Sequence, residues 1–225
     1  MPKLDKQQFE ATIREITKPL NGQYPRPWMT KLRDPIQAEV FVVGMNQSRE
    51  YLTHDLSHEQ HVDALFNEEP EACRKLYDDL NPSPSEARKN IDRFVNRLEE
   101  AGVHNTLETN VICYSTRMSK CLRENPHIGG AWRGEEIFRF LLSSIKPKVL
   151  IVHGVGASKK LKSIMDCDIP APPKCADDGV VRCRCGAMLV IVIPSLGQPG
   201  FNMWHSWASA HLTRVADVVA GHLDG

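Results

Sequence analysis

Polar residues follow four apolar, strand-like runs of the sequence, and their side chains are of types that bind ligands. The segments are GMNQSREY, YSTR, HGVGAS and IPSLGQPGFN, which begin at Gly44, Tyr114, His153 and Ile193. In open α/β sheets a ligand binds beyond the carboxyl ends of the strands. A polar residue after one strand is often only a turn former, but four such segments together indicate a binding site.

Asn46 stands at the tip of the first run, VFVVGMN. Its carboxamide carries a donor and an acceptor and does not titrate near neutral pH. A strand that holds such an amide in place can therefore orient a water molecule or a polar ligand for reaction. Asn110 offers the same donor and acceptor near the second run, and a capped turn is the alternative interpretation of that residue.

The elements that must position these residues alternate between helices and strands. The segment DKQQFEATIREI predicts a helix, which a proline-rich lead-in with Tyr24 and Trp28 follows. Ser83 and Glu86 form a capping box around Pro84, which predicts the start of the next helix. The remaining elements are predicted in the order TNVICY (strand), GEEIFRFLLSSI (helix), KVLIVHG (strand), GASKKLKSIM (helix), AMLVIVIPS (strand) and NMWHSWASAHLTRVADVVAGHL (helix).

The predicted strands are near-continuous runs of Val, Ile and Leu, which is typical of strands buried on both faces of a sheet. We therefore predict an α/β fold, a single-domain three-layer sandwich with a mostly parallel four-stranded central sheet. The length of 225 residues suits one domain over residues 1–225, with residues 1–38 forming an N-terminal helix and an irregular lead-in.

Composition narrows the class of protein. No apolar run approaches the roughly 20 residues of a membrane span, and the charged first residues lack the apolar core of a secretory signal, so we expect a cytoplasmic protein that binds no membrane. The 28 basic and 28 acidic residues balance, which gives no global sign of nucleic-acid binding. Local basic clusters, at Arg117, Lys120, Arg123 and Arg133 and in SKKLK, suit either phosphate contacts or plain solvated charge.

The ordered set of strand-end segments resembles the uracil-DNA glycosylase superfamily from about Val40 to His222. VVGMNQS is similar to the first motif of its single-strand-selective and mismatch-directed branches. ETNVICYSTR is similar to the strand whose asparagine reads the flipped base, and PKVLIVHGVGASKKL resembles its phosphate-binding turn. VIVIPSLGQPG is similar to the second catalytic motif, and the fold implied is that of the superfamily.

The resemblance implies a monofunctional DNA glycosylase, which flips a base out of DNA and hydrolyses its N-glycosidic bond to leave an abasic site. Asn46, which would orient the water, and Ser195 would be the catalytic residues. The base would be bound by Met45, Gln47, Arg49, Tyr51 and Asn110. DNA would be the partner of a monomeric enzyme that needs no cofactor.

The resemblance also implies how DNA is held. The turn at Ser158, with Lys159 and Lys160, would contact phosphates. Leu196 or Gln198 would fill the gap that the flipped base leaves in the duplex.

Two departures from the family pattern concern the base. Ile193 stands where the second motif usually has a histidine that assists the departing base. A Pro-Gly-Pro-aromatic wall is replaced by Gln47, Ser48, Arg49 and Glu50, with Tyr51 the nearest aromatic residue. Such polar groups suit a polar ligand, although the alternative is a loop that simply faces solvent.

Divergent members of the superfamily act in phage defence by removing glucosylated hydroxymethylcytosine from viral DNA. We therefore predict that the substrate is a bulky, sugar-modified cytosine of this kind. Conventional uracil or mismatch repair is one alternative, and a catalytically silent DNA-binding relative is another.

The seven cysteines of a cytoplasmic chain are not expected to form a disulfide framework. Cys167, Cys175, Cys183 and Cys185 are separated by seven, seven and one residues, which matches neither a common zinc ribbon nor the layout of the iron–sulfur members of the superfamily. We interpret them as free thiols in a long hairpin and expect no metal. The GVG of residues 154–156 lacks the third glycine of a dinucleotide fingerprint.

Overall fold

The computed structural model describes residues 5–225 as an α/β fold in which helices flank a mostly parallel sheet. The α-helices of this part of the chain are α1 (Lys6–Ile16), α2 (His58–Leu65), α3 (Ala72–Leu80), α4 (Glu86–Glu100), α5 (Gly130–Ile145), α6 (Val155–Met165) and α7 (His205–Leu223). Its strands are β1 (Val40–Asn46), β2 (Thr106–Ile112), β3 (Val149–His153), β4 (Val181–Cys185) and β5 (Met188–Ile193). Short 3-10 helices lie at Pro35–Gln37, Ser119–Arg123, Asn125–His127, Ala176–Asp178 and Gly200–Met203.

The strand order in the sheet is β2, β1, β3, β5, β4. β1 pairs with β3 and β3 pairs with β5 in parallel, with Val42 opposite Ile151 and Ile151 opposite Ile191. β4 pairs antiparallel with β5. The predicted α/β class and mostly parallel sheet are confirmed. None of the helices in the described part of the chain combines the length and apolar character needed to cross a bilayer.

The prediction of a four-stranded sheet is wrong, because the sheet has five strands. The additional strand is β4, in which half-buried Cys183 and Cys185 alternate with exposed Arg182 and Arg184. An edge strand needs only one buried face, and charged side chains on the other face are common there. Because β4 contains no continuous apolar run, its sequence pattern does not predict a strand.

The chain divides into two compact units. Unit 1 comprises Met1–Ala38, Met45–Pro82 and Leu107–Lys146, and unit 2 comprises Glu39–Gly44, Ser83–Thr106 and Pro147–Gly225. Strand β1 passes from unit 2 into unit 1 after Gly44. The single domain expected from the chain length stays a prediction.

Aromatic rings form much of the core of unit 1. Phe9 of α1 stacks on Trp28 and on Phe140, with ring centroids 6.0 and 5.5 Å apart. The indole Nε1 of Trp28 donates to the Leu65 carbonyl oxygen at 2.9 Å. The proline-rich lead-in is thus packed into the core, because a buried indole needs a partner for its N–H and finds one on α2.

The core of unit 2 lies between the sheet and helices α4 and α7. Apolar side chains of β1, β3 and β5 pack there with Phe94 and Leu98 of α4 and with Val215 and Val219 of α7. These helices are those predicted from their apolar faces. The predicted start of α4 is two residues early, because the side chain of Ser85 accepts from the Arg88 backbone N–H and caps the helix.

Candidate functional site

Asn46 ends β1 in unit 1 with its amide half-buried and hydrogen-bonded at both ends. Its Nδ2 donates to Thr116 Oγ1 at 2.9 Å and to the Gln47 carbonyl oxygen at 3.1 Å. Its Oδ1 accepts from Ser119 Oγ at 2.7 Å. The amide is therefore held in one position by groups that lie 70 or more residues away as well as by its neighbour.

The hydroxyl of Thr116 decides which way the Asn46 amide faces. Thr116 Oγ1 donates its own proton to the Met118 carbonyl oxygen at 2.9 Å, so it can only accept from Asn46. The amide nitrogen must face Thr116, and the amide oxygen must face Ser119. An amide oxygen accepts two hydrogen bonds, so one lone pair remains for a water molecule after Ser119 has used the other.

Two loops of unit 1 are tied together behind this amide. The Thr116 backbone N–H donates to the Gln47 carbonyl oxygen at 2.9 Å. Ser115 Oγ donates to the Arg49 carbonyl oxygen at 2.9 Å, and Gln23 Nε2 donates to the Ser115 carbonyl oxygen at 3.2 Å. Ser115 and Thr116 are each 1% exposed, so the network is shielded from water and holds the amide rigidly.

The residues after Asn46 that were predicted to bind the base include both buried and exposed side chains. Gln47 is buried and its Nε2 donates to the Arg26 carbonyl oxygen at 2.6 Å. Tyr51 is buried beneath the Arg26 guanidinium, 4.8 Å above its ring, and loss of water raises the pKa of this tyrosine to about 12. Arg49 is exposed, as are Ser48 and Glu50.

Asn110, the predicted reader of the base, lies on β2 with a half-buried side chain. Its neighbour Thr109 is buried and donates to the Pro27 carbonyl oxygen at 2.6 Å. Successive side chains of a strand face opposite sides, so Asn110 faces away from that contact. Within residues 5–225 its amide makes no hydrogen bond, which leaves both its donor and its acceptor for a ligand.

An exposed basic and apolar surface follows β2 in unit 1. Arg117, Lys120 and Arg123 are exposed, and none pairs with a carboxylate in the described part of the chain. Three large apolar side chains in the same region are exposed, at 48%, 66% and 67% for Met118, Ile128 and Trp132. Exposed cations interleaved with an aromatic ring are typical of surfaces that bind single-stranded nucleic acid. We call residues 117–132 the basic segment.

The phosphate-binding turn predicted in unit 2 joins β3 to α6. Gly154, at φ 89°, begins the turn, and its N–H donates to the Ile193 carbonyl oxygen at 2.9 Å. Ser158 is only 3% exposed, and its hydroxyl donates to the Val155 carbonyl oxygen at 3.1 Å, so that hydroxyl faces the interior. Lys159 is exposed and Lys160 is half-buried. Both lysines lie in α6, just after the turn.

His153 at the end of β3 is a candidate that motif comparison missed. It pairs in register with Ile193, the residue that stands where the resemblance would lead one to expect a histidine. Burial lowers the pKa of His153 to about 4, and the charge of Arg88 adds to the effect. Its Nδ1 is buried and has no hydrogen-bond partner among residues 5–225. A histidine that ends an apolar strand was the sequence signal that could have identified it.

The segment after β5 corrects one predicted role. Leu196 is fully buried in the core of unit 2, and its carbonyl oxygen accepts from Asn90 Nδ2 at 3.1 Å, so it cannot be the residue that enters the duplex. Gln198 is exposed and remains available for that role. Ser195 is half-buried, and its Oγ exchanges hydrogen bonds with Gly197 at 3.1 and 3.2 Å.

The interpretation of the late cysteines as free thiols is wrong for two of them. Cys167 and Cys185 form a disulfide, with Cα atoms 5.9 Å apart. Cys175 and Cys183 are free. Sequence spacing does not show which sulfurs meet, because the bonded pair is 18 residues apart and their meeting depends on how the chain runs from α6 to the end of β4.

Comparison of the chain with protein-family models gives no match, and no curated protein matches it. The resemblance to DNA glycosylases therefore rests on the sequence segments alone.

Proposed function

We propose that the protein is a monofunctional DNA glycosylase with the fold of the uracil-DNA glycosylase superfamily. The observation that carries the proposal is the Asn46 amide, held at a strand end with one oxygen lone pair available. Hydrolysis at an anomeric carbon needs an oriented water, and an amide of fixed orientation with an open acceptor can hold one.

Asn46 supports this chemistry without titrating. Hydrolysis of an N-glycosidic bond develops positive charge on the sugar and negative charge on the departing base. A water held by Asn46 Oδ1 attacks the anomeric carbon, the bond to the base breaks, and the base leaves with the bonding electrons. The water gives up a proton to solvent as it adds, the departing base takes up a proton from solvent, and the product is an abasic site.

The unpaired amide of Asn110 supports recognition of the extruded base. A cytosine edge offers an amino donor and ring acceptors, and a carboxamide can satisfy one of each. A carboxylate could only accept at neutral pH, which is why asparagine suits this position.

Within unit 2, His153 is assigned the hydrogen bond to DNA that a histidine at position 193 would otherwise supply. It stands at the same level of the sheet as Ile193, one strand away. Its lowered pKa keeps the imidazole neutral at pH 7, and a neutral imidazole still donates one N–H.

Contacts to DNA are assigned to surfaces in each unit. In unit 1 the basic segment offers Arg117, Lys120 and Arg123 to phosphates and Trp132 to an unpaired base. In unit 2 we assign the contacts to phosphates to Lys159 and Lys160.

The substrate proposed is a bulky, glucosylated hydroxymethylcytosine. Three exposed polar residues, Ser48, Arg49 and Glu50, follow the catalytic amide where an aromatic wall would exclude large bases. The hydroxyl groups of a sugar need donors and acceptors of this kind, and an exposed loop leaves room for them.

The test is release of base from matched duplexes that carry glucosylated hydroxymethylcytosine, uracil or unmodified cytosine at one position, followed by alkaline cleavage. We expect cleavage of the glucosylated strand by the wild-type chain and none by Asn46→Ala. Uracil release alone would make the protein a conventional repair enzyme. DNA binding with no release from any duplex would make it a silent relative.

A further inference from the structure

Three cysteine sulfurs cluster in unit 2, outside the residues assigned to glycosylase chemistry. The Sγ atoms of Cys167, Cys183 and Cys185 all lie within 4.8 Å of one another. Among His, Cys, Asp and Glu side chains of residues 5–225, this is the one group of three whose ligand atoms come so close.

Local structure explains why these sulfurs meet. Cys183 and Cys185 are two residues apart on β4, so their side chains share one face of the strand. The exposed Arg182 and Arg184 occupy the other face. Helix α6 ends at Met165 and its C-cap is Asp166, in the left-handed conformation at φ 49°. The chain then brings Cys167 Sγ to 3.7 Å from the Arg184 carbonyl oxygen.

We propose that the reduced form of this cluster is a binding site for one thiophilic divalent cation such as Zn²⁺. Three thiolates around a tetrahedral zinc, with bonds of about 2.3 Å, place their sulfurs about 3.8 Å apart. The observed cluster is already near that size, so side-chain rotation can complete it without refolding the hairpin. The three sulfurs leave one position of the ion for water or a further ligand.

The disulfide and the metal site are alternative states of the same sulfurs. Opening the Cys167–Cys185 bond consumes two electrons and two protons, which a dithiol reductant supplies as it becomes a disulfide itself. Zn²⁺ then displaces the protons of the three thiols and forms three metal–sulfur bonds, leaving a net charge of −1. Cys183, a free thiol beside the disulfide, supplies the third sulfur ligand once the disulfide is reduced.

The surroundings of the cluster suit this role. The stretch between α6 and β4 contains only one short 3-10 helix, Ala176–Asp178, so little secondary structure holds it. A cross-link from Cys167 to β4 closes this loop in either state, and closing a loop restricts the unfolded chain. In a reducing compartment a metal supplies the link that a disulfide cannot keep.

The test uses the full-length chain with Co²⁺ as a spectroscopic probe. After reduction by a phosphine under anaerobic conditions, we expect one Co²⁺ per chain, with thiolate-to-cobalt charge-transfer bands that Zn²⁺ abolishes by displacement. Cys183→Ser should weaken binding by about a hundredfold or more, because losing a ligand exceeds the 10- to 100-fold effect of an outer partner. Cys121→Ser, which removes a half-buried free thiol of unit 1, is the matched control and should bind normally.

Circular dichroism of each variant would establish that it is folded before binding is compared. Cys183→Ser retains Cys167 and Cys185, so the variant can be prepared with the disulfide closed and its fold compared with the wild type before and after reduction. The proposal is overturned if reduced wild-type chain shows no thiolate–cobalt bands, or if Cys183→Ser binds as well as wild type. Binding needs no DNA, so the result is independent of glycosylase activity.

Discussion

Asn46 at the end of β1 and His153 at the end of β3 are both polar side chains at strand ends, but the protein controls them in opposite ways. Asn46 is bonded through both ends of its amide, to Thr116 and to Ser119. His153 has a buried ring nitrogen without a partner in the described chain, and burial lowers its pKa. Hydrogen bonds set the orientation of the first side chain, and loss of water sets the charge of the second.

This contrast separates two kinds of experiment. A change next to Asn46 should act through geometry and leave the pH dependence of the protein unchanged. A change at His153 should act through protonation and alter the pH dependence. Each expectation can be tested alone, because the two residues belong to different units.

The largest effect is expected from Asn46→Ala. We expect turnover on the true substrate to fall at least about a hundredfold with DNA affinity nearly unchanged, because an interaction made mainly in the transition state is lost. Single-turnover cleavage and equilibrium binding would measure the two quantities. Near-normal turnover would remove Asn46 from the centre of the mechanism.

The next effect concerns stability at low pH. His153 and His61, a buried histidine of unit 1, have pKa values of about 4 and about 3 in the folded chain, both lowered mainly by burial from 6.5. Between about pH 6.5 and 4 the unfolded chain therefore binds protons at these histidines that the folded chain does not bind. The contribution of these two histidines to the free energy of unfolding should be constant above about pH 7 and fall as the pH drops through that window.

His153→Gln would remove one of these proton-binding groups. The free energy of unfolding should then fall less steeply as the pH drops, by up to about 1.4 kcal/mol for each pH unit. Urea unfolding from pH 7 to pH 4 would measure it, with His61→Gln as the parallel variant of unit 1, which should flatten the fall in the same way. If the His153→Gln variant shows the same pH profile as the wild type, His153 is not buried in its neutral form.

A smaller effect is expected from Thr116→Val. Valine keeps the shape of threonine but removes the oxygen that accepts from Asn46 Nδ2, so the amide is less firmly oriented. Loss of one hydrogen bond is worth about 1 kcal/mol, and we expect turnover to fall about fivefold to tenfold. The pH profile of unfolding should be that of the wild type. Ser119→Ala, which removes the exposed donor to Oδ1, is the comparison for the other end of the amide.

The smallest effect is expected at the turn after His153. Replacing Lys159 and Lys160 by Ala should weaken binding to all DNA sequences alike and reduce the slope of log affinity against log salt by about one to two. Titrations at several salt concentrations would measure the slope. If the slope is unchanged, phosphate is bound elsewhere, and the same substitutions at Arg117 and Lys120 of the basic segment would be tested next.

Local pattern was enough to predict most of the fold. The cores of β1, β3 and β5 are short runs of Val, Ile and Leu, and α1, α4 and α7 carry apolar faces at helical spacing. Such residues lose water in any compact state, so their pattern indicates the element regardless of its partners. The pattern failed for α2 and α3, which are only 8 and 9 residues long, because so short a window gives little periodicity.

The candidate site was predicted in its residue types but not in the direction of its side chains. Asn46, Asn110 and the lysines after β3 could be selected because polar groups at strand ends are unusual enough to notice. Gln47 and Tyr51 were predicted to meet a base, yet both are buried against Arg26. The sequence does not show that partner, which lies more than 20 positions earlier.

The sequence by itself therefore determined the class of fold and the kinds of side chain that end its strands, because both follow from local chemistry. Tertiary structure alone decided which groups meet. The Asn90–Leu196 hydrogen bond spans 106 residues, and the Leu196 side chain, which was predicted to enter DNA, is buried in the core of unit 2. The hairpin of β4 and β5 brings Cys183 and Cys185 to Cys167, and the 70-residue contact from Asn46 to Thr116 orients the amide. Such contacts arise from the packing of whole elements, which no short window of sequence records.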